Sequence, residues 1–275
     1  MVPADASEAE RQRARIIRAA FEYAERMAPG EFFSHATAAI LWGAAVPYLA
    51  NEAIHVGVLH PHRLPRARGV RGHQARAHLT RVVVHPETGL PVASPATAWA
   101  MLGAAMMHPY DIVAVGDSLV RIQRMPGPWA RRMPPPIASR HQLETAARAG
   151  RRVGGPALRA ALPRLRTGAA SRPESWTRLT ICDSGLPEPV LDHDVYDEHG
   201  EFLGCVDMAY PELKIAIEYE GDHHRIDLAT WNRDLAKHDA LQAAGWRVIR
   251  VSRTMLFAHP HELVARVRAA LAQRS

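Results

Sequence analysis

Apolar residues recur at helical spacing over residues 7–28, through Ile16, Ile17, Ala20, Phe21, Tyr23 and Ala24, with Ser7 as the cap and Gly30 as the stop. After a tight turn, Ser34 opens a second short helix in "SHATAAILWGA". The runs "AIHVGVL" (53–59) and "LTRVVVH" (79–85) have the composition of β-strands, and "SPATAWAMLGAAM" and "DIVAVGDSLVRI" each read as a helix with its own cap. The first half is therefore α+β.

Prolines then interrupt the pattern. The run "MPGPWARRMPPP" fits neither a helix interior nor a central strand, because proline removes a backbone donor and fixes φ. Short helical segments follow at 138–149 and 155–163. From Ser171 the period alternates between helix (171–185, 229–244, 260–273) and strand (190–197, 202–210, 213–220, 246–252). Three parts are expected: an α+β region over 1–125, a Pro/Arg-rich connecting segment over 126–170, and an α/β domain over 171–275.

The chain has 275 residues, is 47% hydrophobic, and contains no apolar run of membrane-spanning length. Its polar start, "MVPADASEAERQRAR", where a leader would be apolar, points to the cytoplasm. Cys182 and Cys205 show no ligand spacing and read as reduced thiols. The formal charge of +6 permits a polyanionic partner without requiring one. Its distribution says more. Residues 60–81 carry six arginines and four histidines and no acid. Such a segment, read as a loop between two strands, suits phosphate contacts through Arg63, Arg66, Arg68, Arg71 and Arg76, with binding driven by counterion release. After a pair of helices, the loop has the place of a wing in a winged-helix module.

The acids of "AIEYEGDHH" (216–224) raise the chemical question. Side chains alternate along a strand, so Glu218 and Glu220 share one face while Ile215, Ile217 and Tyr219 share the other. A turn near Tyr210–Leu213 brings Asp207 of the preceding strand beside Glu218. Three hard oxygen ligands in one place suit Mg2+ or Mn2+. Alone, each would be an ordinary solvated carboxylate. Together, with Gly221 and the pair His223–His224 immediately after, they read as a site.

"VDMAYPELKIAIEYEGDHH", followed by "WNRDLAKHDALQAAGWRVIRVSRTML", resembles the very-short-patch-repair (Vsr-like) endonuclease domain of the PD-(D/E)XK superfamily over about residues 171–275. The resemblance implies a restriction-endonuclease-like core with a central mixed sheet flanked by helices. It also implies metal-dependent hydrolysis of nucleic-acid phosphodiesters, DNA first, with Asp207, Glu218 and the Tyr219 carbonyl as metal ligands. Glu220 stands where the superfamily usually has lysine, leaving it a role as a further ligand or a base. Arg233 and Lys237, four apart on one helix, are the candidate cations for that vacancy, or else form a solvated or phosphate-contacting face. His224, ahead of His223, is a candidate for activating water or contacting phosphate. Glu174 is either the superfamily's first-helix acid or a capping residue in "SRPES".

The first half resembles AbiEi-type antitoxin regulators through "FSHATAAILWG", "GLPVASPATAWAML" and "DIVAVGDSLVR". The two expectations are thus an endonuclease, or a non-catalytic DNA-binding regulator that keeps a nuclease-like fold. A homodimer is admitted as an assembly in either case.

Overall fold

The computed structural model describes residues 6–105, 108–128, 133–221 and 228–274; the side chains of 228–233 are outside the description. The chain is mixed α/β and divides into two compact units, residues 1–120 with 136–167, and 121–135 with 168–275.

The first unit contains α1 (Glu8–Ala24), β1 (Glu31–Phe33), α2 (His35–Leu41), β2 (Ile54–Leu59), β3 (Val70–Ala75), β4 (Val82–Val84), β5 (Pro91–Ala93), α3 (Pro95–Leu102), α4 (Pro109–Val120), α5 (Arg140–Arg148) and α6 (Gly155–Ala161). The Ser7 hydroxyl accepts from the Glu10 N–H while the Glu10 carboxylate accepts from Ser7, so the predicted start of α1 is a closed capping box. The strands form one mixed sheet in the order β3-β2-β1-β5-β4. Phe32, Phe33, Val56, Val92 and Trp99 are fully enclosed in its core.

Four expectations change here. The tight turn before α2 is the central strand β1, too short for alternation to register in the sequence. The arginine-rich loop carries β3, which pairs parallel with β2 from Ile54↔Val70 to Leu59↔Ala75, where a wing would be an antiparallel hairpin. As an edge strand, β3 has only one neighbour and tolerates its polar "VRGHQA" sequence. The strand expected at 79–85 shrinks to Val82–Val84 after a 3-10 turn at Ala77–Leu79. Helices α5 and α6, in the segment read as connecting, pack on α3, α4 and each other within the first unit.

The second unit contains α7 (Arg172–Asp183), β6 (Val190–Tyr196), β7 (Phe202–Tyr210), β8 (Ile215–Glu220), α8 (Leu228–Ala243), β9 (Arg247–Ser252), α9 (Arg253–Phe257) and α10 (Pro260–Ala272). Its sheet runs β6-β7-β8-β9, antiparallel up to β8 and parallel between β8 and β9, with α8 as the crossover. Ile215 and Ile217 join Met208, Ile249, Val251, Leu263 and Val267 in one apolar cluster, and Ala216 joins Val206, Leu241 and Trp246 in another. Both faces of β8 are therefore covered, and Glu218 is carried into the interior at 8% exposure. No helix among the described residues is long and apolar enough to cross a membrane.

Candidate functional site

The pairing Met208↔Ile217, continued by one step, sets Asp207 beside Glu218 on neighbouring strands. One Asp207 carboxylate oxygen accepts the Tyr219 N–H at 2.8 Å, which pins the side chain across β8. Tyr219 itself packs its ring on the apolar cluster of the opposite face. Burial, the charge of Glu174 and then that of Glu218 push the Asp207 carboxyl up to about 7. Glu174, at the first turn of α7, is buried and also shifted upward, chiefly by burial. Its carboxylate accepts the Ala170 N–H at 2.7 Å, while its own N–H donates to the Ser171 hydroxyl. Glu174 thus binds the backbone just ahead of α7 while its charge reaches Asp207. Arg178, four residues on, pairs with Glu188 at 3.0 Å.

Lys237 answers these acids from α8. Its ammonium forms a short ion pair with Glu218 Oε1 and donates to the Cys205 carbonyl at 3.3 Å. The approach depends on Gly204, where a Cβ would lie 2.7 Å from both Lys237 Cγ and Cδ, and whose φ of +151° suits glycine. His238, next along α8, sets Nε2 3.3 Å from Glu218 Oε2. Glu220 is engaged differently: it forms an ion pair with Arg250 of β9.

His223 and His224 lie outside the described residues, as does the side chain of Arg233. In the first unit, Arg63, Arg66, Arg68, Arg71 and Arg76 are all solvent-exposed.

Sequence reasoning missed His238, Gly204 and Arg124. Only His238 left a signal, its position beside Lys237. Arg124, just before the proline-rich run, binds Asp192 at 2.8 Å and Asp194 at 2.7 Å, while Gly127 N–H also donates to Asp194. These bonds hold residues 124–127 against β6. Two groups of His and acidic side chains among the described residues bring three ligand atoms within 4.8 Å of one another: His35, His55 and His73, and the exposed set His259, His261 and Glu262.

No family model matches the chain. Two proteins of Mycobacterium tuberculosis, the uncharacterized protein MT2308 of strain CDC 1551 / Oshkosh and the uncharacterized protein Rv2248 of strain ATCC 25618 / H37Rv, are each 33% identical to it over 130 residues. That alignment covers 47% of this chain and 48% of either relative, so the chain spans about half the length of the curated relatives it matches. No solved structure matches.

Proposed function

We propose that the acidic ends of β7 and β8 form the active centre of a divalent-metal-dependent phosphodiesterase acting on nucleic acid, with DNA as the expected substrate. One observation carries this reading: the buried Asp207 carboxyl feels the charges of both Glu174 and Glu218, which come from two other elements, and a lysine ammonium is seated on Glu218. Buried carboxylates that repel one another favour a cation, and the all-oxygen donor set fits a hard one. Asp207 and Glu218 are the residues that would hold Mg2+ or Mn2+; the ion, when bound, supplies positive charge to the phosphoryl oxygens. The succession from α7 through the β6–β8 meander and α8 to the parallel strand β9 supports the resemblance to a PD-(D/E)XK core.

The chain's own groups take the other parts. Lys237, supplied by α8, stands in for the strand lysine that Glu220 replaces, and its ammonium offsets charge developing on the phosphate. Arg250 neutralises Glu220, so that carboxylate adds little repulsion. His238 holds the second oxygen of Glu218 and orients it. Asp207, poised near neutral pH, exchanges a proton as the site fills.

The test is cleavage of supercoiled, linear and single-stranded DNA, and of RNA, by the full chain with Mg2+ or Mn2+. Nicking that disappears in Glu218→Gln, with circular dichroism unchanged, is the expected result. Absence of cleavage on all substrates would overturn the enzymatic reading. The exposed arginine segment would then favour the second one, a nucleic-acid-binding regulator in which the acidic centre is inert.

A further inference from the structure

The second cluster of chemistry-bearing side chains lies in the first unit and takes no part in the proposed hydrolysis. His55 of β2 and His73 of β3 stand on parallel neighbours, on the same face by alternation, with His55 Nδ1 2.9 Å from His73 Nε2. His35, the first residue of α2, stacks its ring on His73 with centroids 3.8 Å apart and lies 5.5 Å from the ring of His55. Its Nδ1 is 3.1 Å from the Ser34 hydroxyl. His35 adopts a left-handed backbone, φ +48°, a conformation disfavoured for a non-glycine residue. All three rings are half-buried, and one atom from each lies within 4.8 Å of the other two.

We infer that His35, His55 and His73 form a binding site for a borderline divalent metal, Zn2+ foremost, with three imidazole ligands and the fourth position taken by water or an anion. Imidazole nitrogen is the donor such ions prefer, and three histidines with one open position are an established Zn2+ arrangement. In tetrahedral coordination at about 2.0–2.1 Å, ligand nitrogens stand about 3.3 Å apart. His55 and His73 need only open slightly from 2.9 Å, giving up one imidazole–imidazole hydrogen bond, while His35, with a ring nitrogen within 4.8 Å of the other two, has to leave its stack on His73 to bind the same ion. Burial, joined by the charge of Arg71 on all three, by His73 on the other two and by His55 on His35, holds His35 down to about 2 and His55 and His73 down to about 4, so the rings are neutral at pH 7. Neutral imidazole is the form that binds a metal. The charge of Arg71, felt by all three rings, disfavours a bare dication and favours an anionic fourth ligand. The site would tie α2 and β2 to the edge strand that carries Arg71.

The test uses the full chain without a polyhistidine tag, stripped with chelator and titrated with Co2+ and Zn2+. The expected result is one tight equivalent per chain, with the visible bands of four-coordinate Co2+ displaced by Zn2+. His73→Asn and His35→Asn should each lose it; asparagine tolerates the left-handed backbone at position 35. His261→Asn and Asp207→Asn should retain it, which separates this site from the exposed trio and from the acidic centre. X-ray absorption of the Zn2+-loaded wild type should show three imidazoles at about 2.0 Å, a readout that stands even where a variant misfolds. Binding unaffected by His73→Asn, a coordination shell with fewer than three imidazoles, or no tight equivalent at all would overturn the inference.

Discussion

The strand pair β2–β3 of the first unit and the pair β7–β8 of the second each gather titratable side chains, and in each burial drives those groups toward their neutral forms. For the histidines the neutral form is a resting state: no charge is stranded, and ring stacking and one hydrogen bond join the rings. For the acids the neutral form is incomplete at physiological pH, because Asp207 reaches only about 7 and Glu218 is held by an ammonium. The same physical pressure therefore prepares one cluster to donate electron pairs to a borderline metal and leaves the other seeking a hard cation. The fold sets a cation beside each, Lys237 through the gap at Gly204 in one case and Arg71 in the other, so what separates them is whether burial leaves the donors neutral or still charged.

The sharpest way to break this contrast is to remove the lysine. Lys237→Met should lower cleavage by about 10²–10³-fold, the range for loss of one group stabilising transition-state charge, while Zn2+ binding at the histidines stays unchanged. If cleavage is insensitive to the substitution, Lys237 is an ordinary partner of Glu218 and the missing strand lysine has no substitute on α8.

A smaller effect is expected from the first unit. Replacing Arg63, Arg66, Arg68 and Arg71 together by Ala should weaken DNA binding and reduce the slope of log affinity against log salt by about 3–4, since each phosphate contact contributes about 0.9. The same affinity and slope in the variant would mean that these exposed side chains meet only water.

The second unit was far more legible in the sequence than the first. Its strands have six to nine residues, long enough to register as strands, and the acid pair on β8 with Asp207 before it announced a shared face. In the first unit, β1, β4 and β5 have three residues each, too few for a period, and the polar edge strand β3 has no buried face to mark it. The histidine trio was invisible for a related reason. His35, His55 and His73 are about 20 residues apart and meet only through the parallel pairing of β2 and β3, which local pattern does not encode. Lys237 could be read as a candidate because helical spacing gave it a face, but Gly204, which makes room for it, has meaning only once β7 and α8 are packed together.

The smallest effect tests the electrostatic premise itself. Burial and the neighbouring acids raise the Asp207 carboxyl from 3.8 to about 7 in the folded chain. Below about pH 4 it is protonated whether folded or unfolded and contributes no difference. As pH rises from there toward 7, the unfolded chain loses its proton first, so folding becomes progressively less favourable, and above about 7 the full cost is present. Asp207→Asn abolishes that cost while its amide oxygen still accepts the Tyr219 N–H. The metal-free variant should therefore melt at the same temperature as the wild type at pH 4 and higher at pH 8. A rise of only one pKa unit is worth ~1.4 kcal/mol, so the gain at pH 8 should be at least ~2–4 °C for a chain of this length. Millimolar Mg2+ should then narrow or reverse the gap, because the ion stabilises the wild type and has lost a ligand in the variant. Melting temperatures that coincide at both pH values would show that Asp207 carries no electrostatic burden, and the acidic centre would lose its physical reason to take up a cation.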